Sequence, residues 1–150
     1  MRRRQVDSGT RRESGHEQSG LGWPNLCCVK PFEARRNLLD AMKVVEAFGN
    51  AWAAHDLDAA VAMITDDCIF DTTEPAPDGT RFIGRNAIRE AWRPIFEDSA
   101  ASFEAEETFS TSDRVVQLWR YTWSSGHIRG VDVMRIRDGL VSEKFSYVKG

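Results

Sequence analysis

From Leu38 onward the apolar positions change period several times, and each change marks an element. Leu38, Leu39, Met42, Val45, Phe48 and Trp52 recur at helical spacing and predict a first helix. Asp56 is placed to cap a second helix over 57–64, with Leu57, Val61 and Ile64 on one face. Thr65-Asp66-Asp67 breaks that helix, and residues 68–73 read as a short strand. Two prolines and a glycine make 74–79 a loop, and 81–84 is a brief extended piece. A third helix over 86–96 carries Ile88, Trp92 and Ile95 one turn apart, with Pro94 near its end.

After this the period falls to two. Strands are expected at 102–110, 114–123, 127–136 and 140–148, separated by Ser112-Asp113, Ser124-Ser125-Gly126 and Asp138-Gly139. Helices at the front and sequential strands behind predict an α+β fold, with three helices on one face of a curved antiparallel sheet. The pattern lacks the strand–helix alternation of a nucleotide-binding sheet, and no phosphate-loop, metalloprotease or nucleophile-elbow motif is present.

Composition divides the 150 residues in two. Residues 1–37 hold eight Lys/Arg against four Asp/Glu and show no period, so a disordered basic extension is expected there. Residues 38–150 hold twelve against nineteen, an acidic domain that argues against a nucleic-acid partner. No apolar run is long enough for a membrane span. Cys27, Cys28 and Cys68 have no metal-ligand spacing, so no metal is expected, and a reducing cytoplasm suits them.

The chemistry concentrates in the last hairpin. Asp132 is an acid in mid-strand, and such a carboxylate either faces water, pairs with a cation, or belongs to a site. Its partner depends on the turn. A three-residue loop with a bulge at Gly139 sets Ile136 opposite Leu140 and Asp132 opposite Lys144. A two-residue Asp138-Gly139 turn sets Asp132 opposite Phe145. Trp119, Tyr121 and Trp123 share one face of a strand and serve either a cavity wall or a core or dimer contact.

The order of elements and three runs, Phe48–Phe70, Phe82–Arg89 and Gly130–Tyr147, resemble the SnoaL-like branch of the nuclear transport factor 2-like superfamily. That branch includes ketosteroid isomerases, limonene epoxide hydrolases and polyketide cyclases. The resemblance implies a cone-shaped α+β barrel with one apolar cavity, commonly a homodimer, working without cofactor. It favours the first hairpin register. It also implies Asp132 and Lys144 as candidate catalytic residues, with Phe48, Trp52, Phe70, Thr72, Trp92, Trp119, Met134 and Ser146 as candidate ligand-binding residues. Phe48 stands where the isomerases have a tyrosine, and Thr72 where they have an aspartate base. Lys144 and Ser146 stand where the cyclases often have His and Asp. Two functions follow as expectations. One is a domain that binds a small hydrophobic molecule. The other is a cofactor-independent isomerase, cyclase or hydrolase using Asp132 as acid, base or hydrogen-bond donor.

Overall fold

The computed structural model describes residues 31–111 and 113–149. The readings on the rest of the basic extension, on Cys27 and Cys28, and on Ser112 lie outside them. The elements follow the expected order: α1 (Pro31–Ala53), α2 (Leu57–Ala62), β1 (Ile64–Asp71), β2 (Arg81–Ile83), α3 (Arg85–Glu97), β3 (Ser102–Thr111), β4 (Arg114–Trp123), β5 (Gly126–Arg137) and β6 (Leu140–Val148). Among the described residues, no helix is long and apolar enough to cross a membrane.

Two boundaries differ from the sequence expectation. Helix α1 begins at Pro31, ahead of Leu38. Proline suits the first helical position because its fixed φ is already helical. Glu33, Arg35, Arg36 and Asn37 in those turns are exposed, so no apolar stripe announces them. Strand β1 begins at Ile64, not Cys68. The Thr65-Asp66-Asp67 run is a bulged piece of strand, where pairing with β6 shifts between Ile64 and Ile69. The irregularity turns both acids to solvent. Arg85 meets Asp66 at 3.0 Å, and Arg137 pairs with Asp67 and holds its carboxyl below the usual range.

The strands lie in one sheet in the order β2-β1-β6-β5-β4-β3. The β1–β6 pair is parallel and the others are antiparallel. Irregularities also occur in β3 between Ala105 and Glu107, and in the β5–β6 hairpin. Bulges sharpen twist and bend a strand, and here they curl the sheet. Its inner face carries Val115, Gln117 and Trp119 from β4, Asp132 and Met134 from β5, and Lys144 and Ser146 from β6, all buried. Helices α1 and α3 pack across the sheet. His55, at φ 55°, follows α1 and ties three segments together. Its two ring nitrogens lie 3.1 Å from the carbonyl oxygen of Phe96 and 2.9 Å from that of Ala101.

Trp92 and Met134, expected on the cavity wall, are core residues at 0% exposure. Trp92 packs with ring centroids 5.7 Å from Phe48, 5.2 Å from Trp52 and 5.5 Å from Phe70. It joins α3 to α1 and β1. Trp92→Ala is therefore expected to cost about 3–5 kcal/mol, the range for emptying a large aromatic site. Urea denaturation followed by circular dichroism measures this, and a loss under about 1 kcal/mol would show that Trp92 is not a packing centre.

Candidate functional site

The β5–β6 hairpin decides which side chains meet. Its turn is the two-residue Asp138-Gly139, with Arg137 opposite Leu140 and positive φ at both turn residues, 54° and 76°. This is the twist that two-residue hairpins favour, and glycine takes the second position without strain. The pairing then slips by one residue, because Arg135 faces Glu143 while Ile136 faces Val141. Ser142 is the extra residue, and its hydroxyl donates to the carbonyl oxygen of Arg135 at 3.2 Å. Above the bulge Asp132 pairs with Ser146 and Met134 with Lys144. Both expected registers are thus corrected: Asp132 faces neither Lys144 nor Phe145. The bulge nevertheless restores the face assignment of the first, since an extra residue undoes the flip that a two-residue turn imposes.

Asp132, Lys144 and Ser146 consequently point inward together. Lys144 Nζ lies 2.8 Å from Asp132 Oδ2 and donates to Ser146 Oγ at 2.7 Å. Ser146 Oγ donates to Asp132 Oδ1 at 2.7 Å, closing a ring of three. The lysine and aspartate side chains are only 7% and 3% exposed. Two charges this deep persist only when paired and hydrogen-bonded. The ammonium also lies 5.4 Å from the Trp52 ring centroid and 5.0 Å from that of Phe70, within range of cation–π attraction.

These three groups line a cavity of about 380 Å³. That lies in the roughly 300–1,000 Å³ range of small-molecule sites. Of the sequence candidates, Phe48, Trp52, Phe70, Thr72 and Trp119 also line it. Sequence reading passed over Gln117, Phe82, Phe103 and Ile128. Gln117 is 2% exposed and donates through Nε2 to Thr108 Oγ1 at 3.1 Å. Its signal was available: it alternates with Val115 and Trp119 on β4. Tyr121 shares the wall with Trp119, whereas Trp123 does not and instead donates to Ser125 Oγ at 2.9 Å. Burial raises the Tyr121 phenol above its ordinary value, so it stays neutral at pH 7.

Close approach shapes the wall at Gly130. A Cβ there would stand 2.3 Å from Trp119 Cζ2 and 2.4 Å from the Tyr147 carbonyl oxygen, so only glycine lets the indole lie across β5. At the mouth, Thr72, Thr73, Glu74 and Thr80 form a polar rim. Asp71 is held by Arg81 through two 2.7 Å contacts that lower its carboxyl below the usual range. Cys68 is a buried free thiol beside this machinery, pushed up to about 12 by desolvation, and is therefore unreactive at neutral pH.

A double-mutant cycle separates structural from site behaviour. Lys144→Met leaves the Asp132 carboxylate buried without its cation and is expected to cost about 3–5 kcal/mol at pH 7. Asp132→Leu/Lys144→Met removes both charges and is expected to recover most of that loss. Denaturant midpoints read both, and a double mutant no more stable than Lys144→Met would show that the pair is not coupled.

Comparison with known proteins agrees with this architecture. A protein-family model described as a SnoaL-like domain matches residues 45–144. No curated protein sequence matches the chain. Among solved structures, an NTF2-like protein of unknown function from Mesorhizobium loti is 36% identical, with a TM-score of 0.70 over 76% of this chain and 94% of that one. A putative ketosteroid isomerase from Kribbella flavida shares the fold at 11% identity and a TM-score of 0.65, over 76% of this chain and 81% of that one. An LEH-like epoxide hydrolase of M. tuberculosis shares it at 18% identity and a TM-score of 0.60, over 75% of this chain and 85% of that one. The family-model match over most of the described fold, together with the Mesorhizobium likeness, places this chain in the SnoaL-like family of NTF2-like proteins.

Proposed function

We propose that this protein binds a small, largely apolar molecule in its cone and seats one oxygen group of that molecule on the Asp132–Lys144–Ser146 cluster. The observation that carries the reading is a buried, internally satisfied ion pair at the wall of an open aromatic cavity. A purely structural ion pair needs no such space beside it. Phe48, Trp52, Phe70, Phe103 and Trp119 supply apolar area whose removal from water favours binding by about 25 cal/mol per Å². The cluster is neutral as a whole, and Tyr121 is neutral too, so the favoured occupant is an uncharged ketone or alcohol rather than an ion.

A second reading is acid–base catalysis as a cofactor-independent isomerase, cyclase or hydrolase. It is favoured by the closed ring of hydrogen bonds through Ser146, which gives a proton taken up by the Asp132 carboxylate a path along the cavity wall. In that reading Asp132 moves the proton and Lys144 polarises the ligand oxygen. The active unit is a homodimer in a reducing cytoplasm, paired through the outer sheet face. What supports the pairing is an apolar run on that face. Tyr147, Ile83 and Phe109 are 56%, 63% and 43% exposed, beside half-buried Val131, Val133 and Phe145.

Calorimetry with 2-naphthalenemethanol tests the ligand reading. Its hydroxyl is expected to give at least about tenfold tighter binding than the isosteric hydrocarbon 2-ethylnaphthalene, a hydrogen bond to a charged group being worth about 1.5–3 kcal/mol. Ala91→Phe, which puts a ring into the cavity from α3, is expected to abolish both. Binding that is indifferent to Ala91→Phe, or absent altogether, contradicts the reading. For the assembly, light scattering is expected to give twice the chain mass, and Tyr147→Glu to shift the population to monomer. A wild-type monomer at high concentration would overturn it.

A further inference from the structure

We infer that Lys144 is a carbonyl-capturing nucleophile: it forms an iminium bond with an aldehyde or ketone held in the cavity, with Asp132 shuttling the protons. The inference rests on the cavity being a small-molecule site and goes further, by assigning covalent chemistry and a ligand class. Three observations point to it. Among the described residues Lys144 is the one lysine on the cavity wall, whereas Lys43 and Lys149 are exposed. Its ammonium has a proton acceptor in direct contact, Asp132 Oδ2 at 2.8 Å. It also sits 5.0 Å from the Phe70 ring and 5.4 Å from the Trp52 ring, where a planar cationic iminium would keep the same attraction as the ammonium it replaces. A lysine in an apolar pocket with a partner to take its proton is the arrangement carbonyl condensation needs.

The steps balance within the cluster. When a ligand fills the cavity and displaces water, the separated charges lose solvation and the proton passes from Lys144 Nζ to Asp132 Oδ2. The Nζ electron pair then forms the C–N bond. The carbonyl π pair moves to oxygen, which takes the proton from Asp132 and becomes a hydroxyl. The nitrogen, now carrying two protons, returns one to Asp132. Asp132 gives it to the hydroxyl, which leaves as water while the nitrogen pair forms the C=N bond. Ammonium plus carbonyl becomes iminium plus water, the carboxylate is regenerated, and no proton is drawn from solvent. Ser146 is a positioning residue: donating to Oδ1 while accepting from Nζ, it keeps Oδ2 aimed at the nitrogen.

The full-length chain is incubated with 2-naphthaldehyde and sodium cyanoborohydride, which reduces the iminium to a stable secondary amine. The chain is then cut at acidic residues, and mass spectrometry compares the lysines. Lys144 is expected to be labelled at least about tenfold faster than Lys43 or Lys149, as an effective-molarity advantage requires. Excess 2-naphthalenemethanol should suppress labelling at Lys144 and leave the other two unchanged. Asp132→Asn should slow Lys144 labelling by about a hundredfold, the scale of a lost acid–base group. Circular dichroism confirms that the variant is folded. The decisive comparison uses wild type alone, so it stands even if a variant does not fold. If wild type binds 2-naphthalenemethanol but Lys144 is labelled no faster than the exposed lysines, the covalent inference is overturned and the binding reading survives. If neither compound binds, both fall.

Discussion

Everything at the site depends on one parity constraint, the face that β6 presents to the cone. Side chains alternate along a strand, so a slip of one residue would turn Lys144 and Ser146 outward and bring Glu143 and Phe145 in. The turn alone would enforce that slip. The bulge at Ser142 cancels it. The same adjustment puts Glu143 on the outer face, where Arg114 and Arg135 pair with it, the latter at 3.0 Å. It also sets Phe145 against the Arg81 and Arg114 guanidiniums, 5.8 and 5.7 Å from the ring centroid. Both faces of β6 are therefore satisfied in one register and neither would be in the other.

The inward face then holds a charge pair that has to complete itself. In an apolar cone each ion loses hydration worth several kcal/mol, and only close geometry with further hydrogen bonds recovers it. Ser146 supplies those bonds by accepting from the cation and donating to the anion. The electrostatics are local and compensated, and the aromatic walls see no net charge. The proposed preference for a polar but uncharged ligand group rests on this compensation.

The sequence carried the element order, the α+β class and the inward placement of Asp132 with Lys144, because periodicity reports burial and the local resemblance reports topology. It did not carry the bulge at Ser142, since an extra residue in a strand leaves no signature in an alternating pattern. It did not carry the extended reading of Thr65-Asp66-Asp67, whose composition favours a turn and which is held as strand by Arg85 and Arg137, distant in sequence. Trp92 and Met134 looked like cavity wall because aromatic and thioether side chains suit either a wall or a core. The packing of α3 on α1 decides for Trp92, and the burial of the inner face of β5 under the core decides for Met134. Gln117 shares the β4 face of Val115 and Trp119, and it escaped because the aromatic residues alone stand out as the signal on that face.

The most direct measurement is nitrogen-15 NMR of the lysine ammonium groups at neutral pH. A Lys144 held by Asp132 and Ser146 in a sheltered cavity should give an Nζ resonance with slowly exchanging protons. That resonance should be lost in Lys144→Arg and displaced when 2-naphthalenemethanol is added. If every lysine ammonium exchanges at the rate of an exposed side chain and none responds to the alcohol, the ion pair is not buried beside a ligand cavity and the account fails.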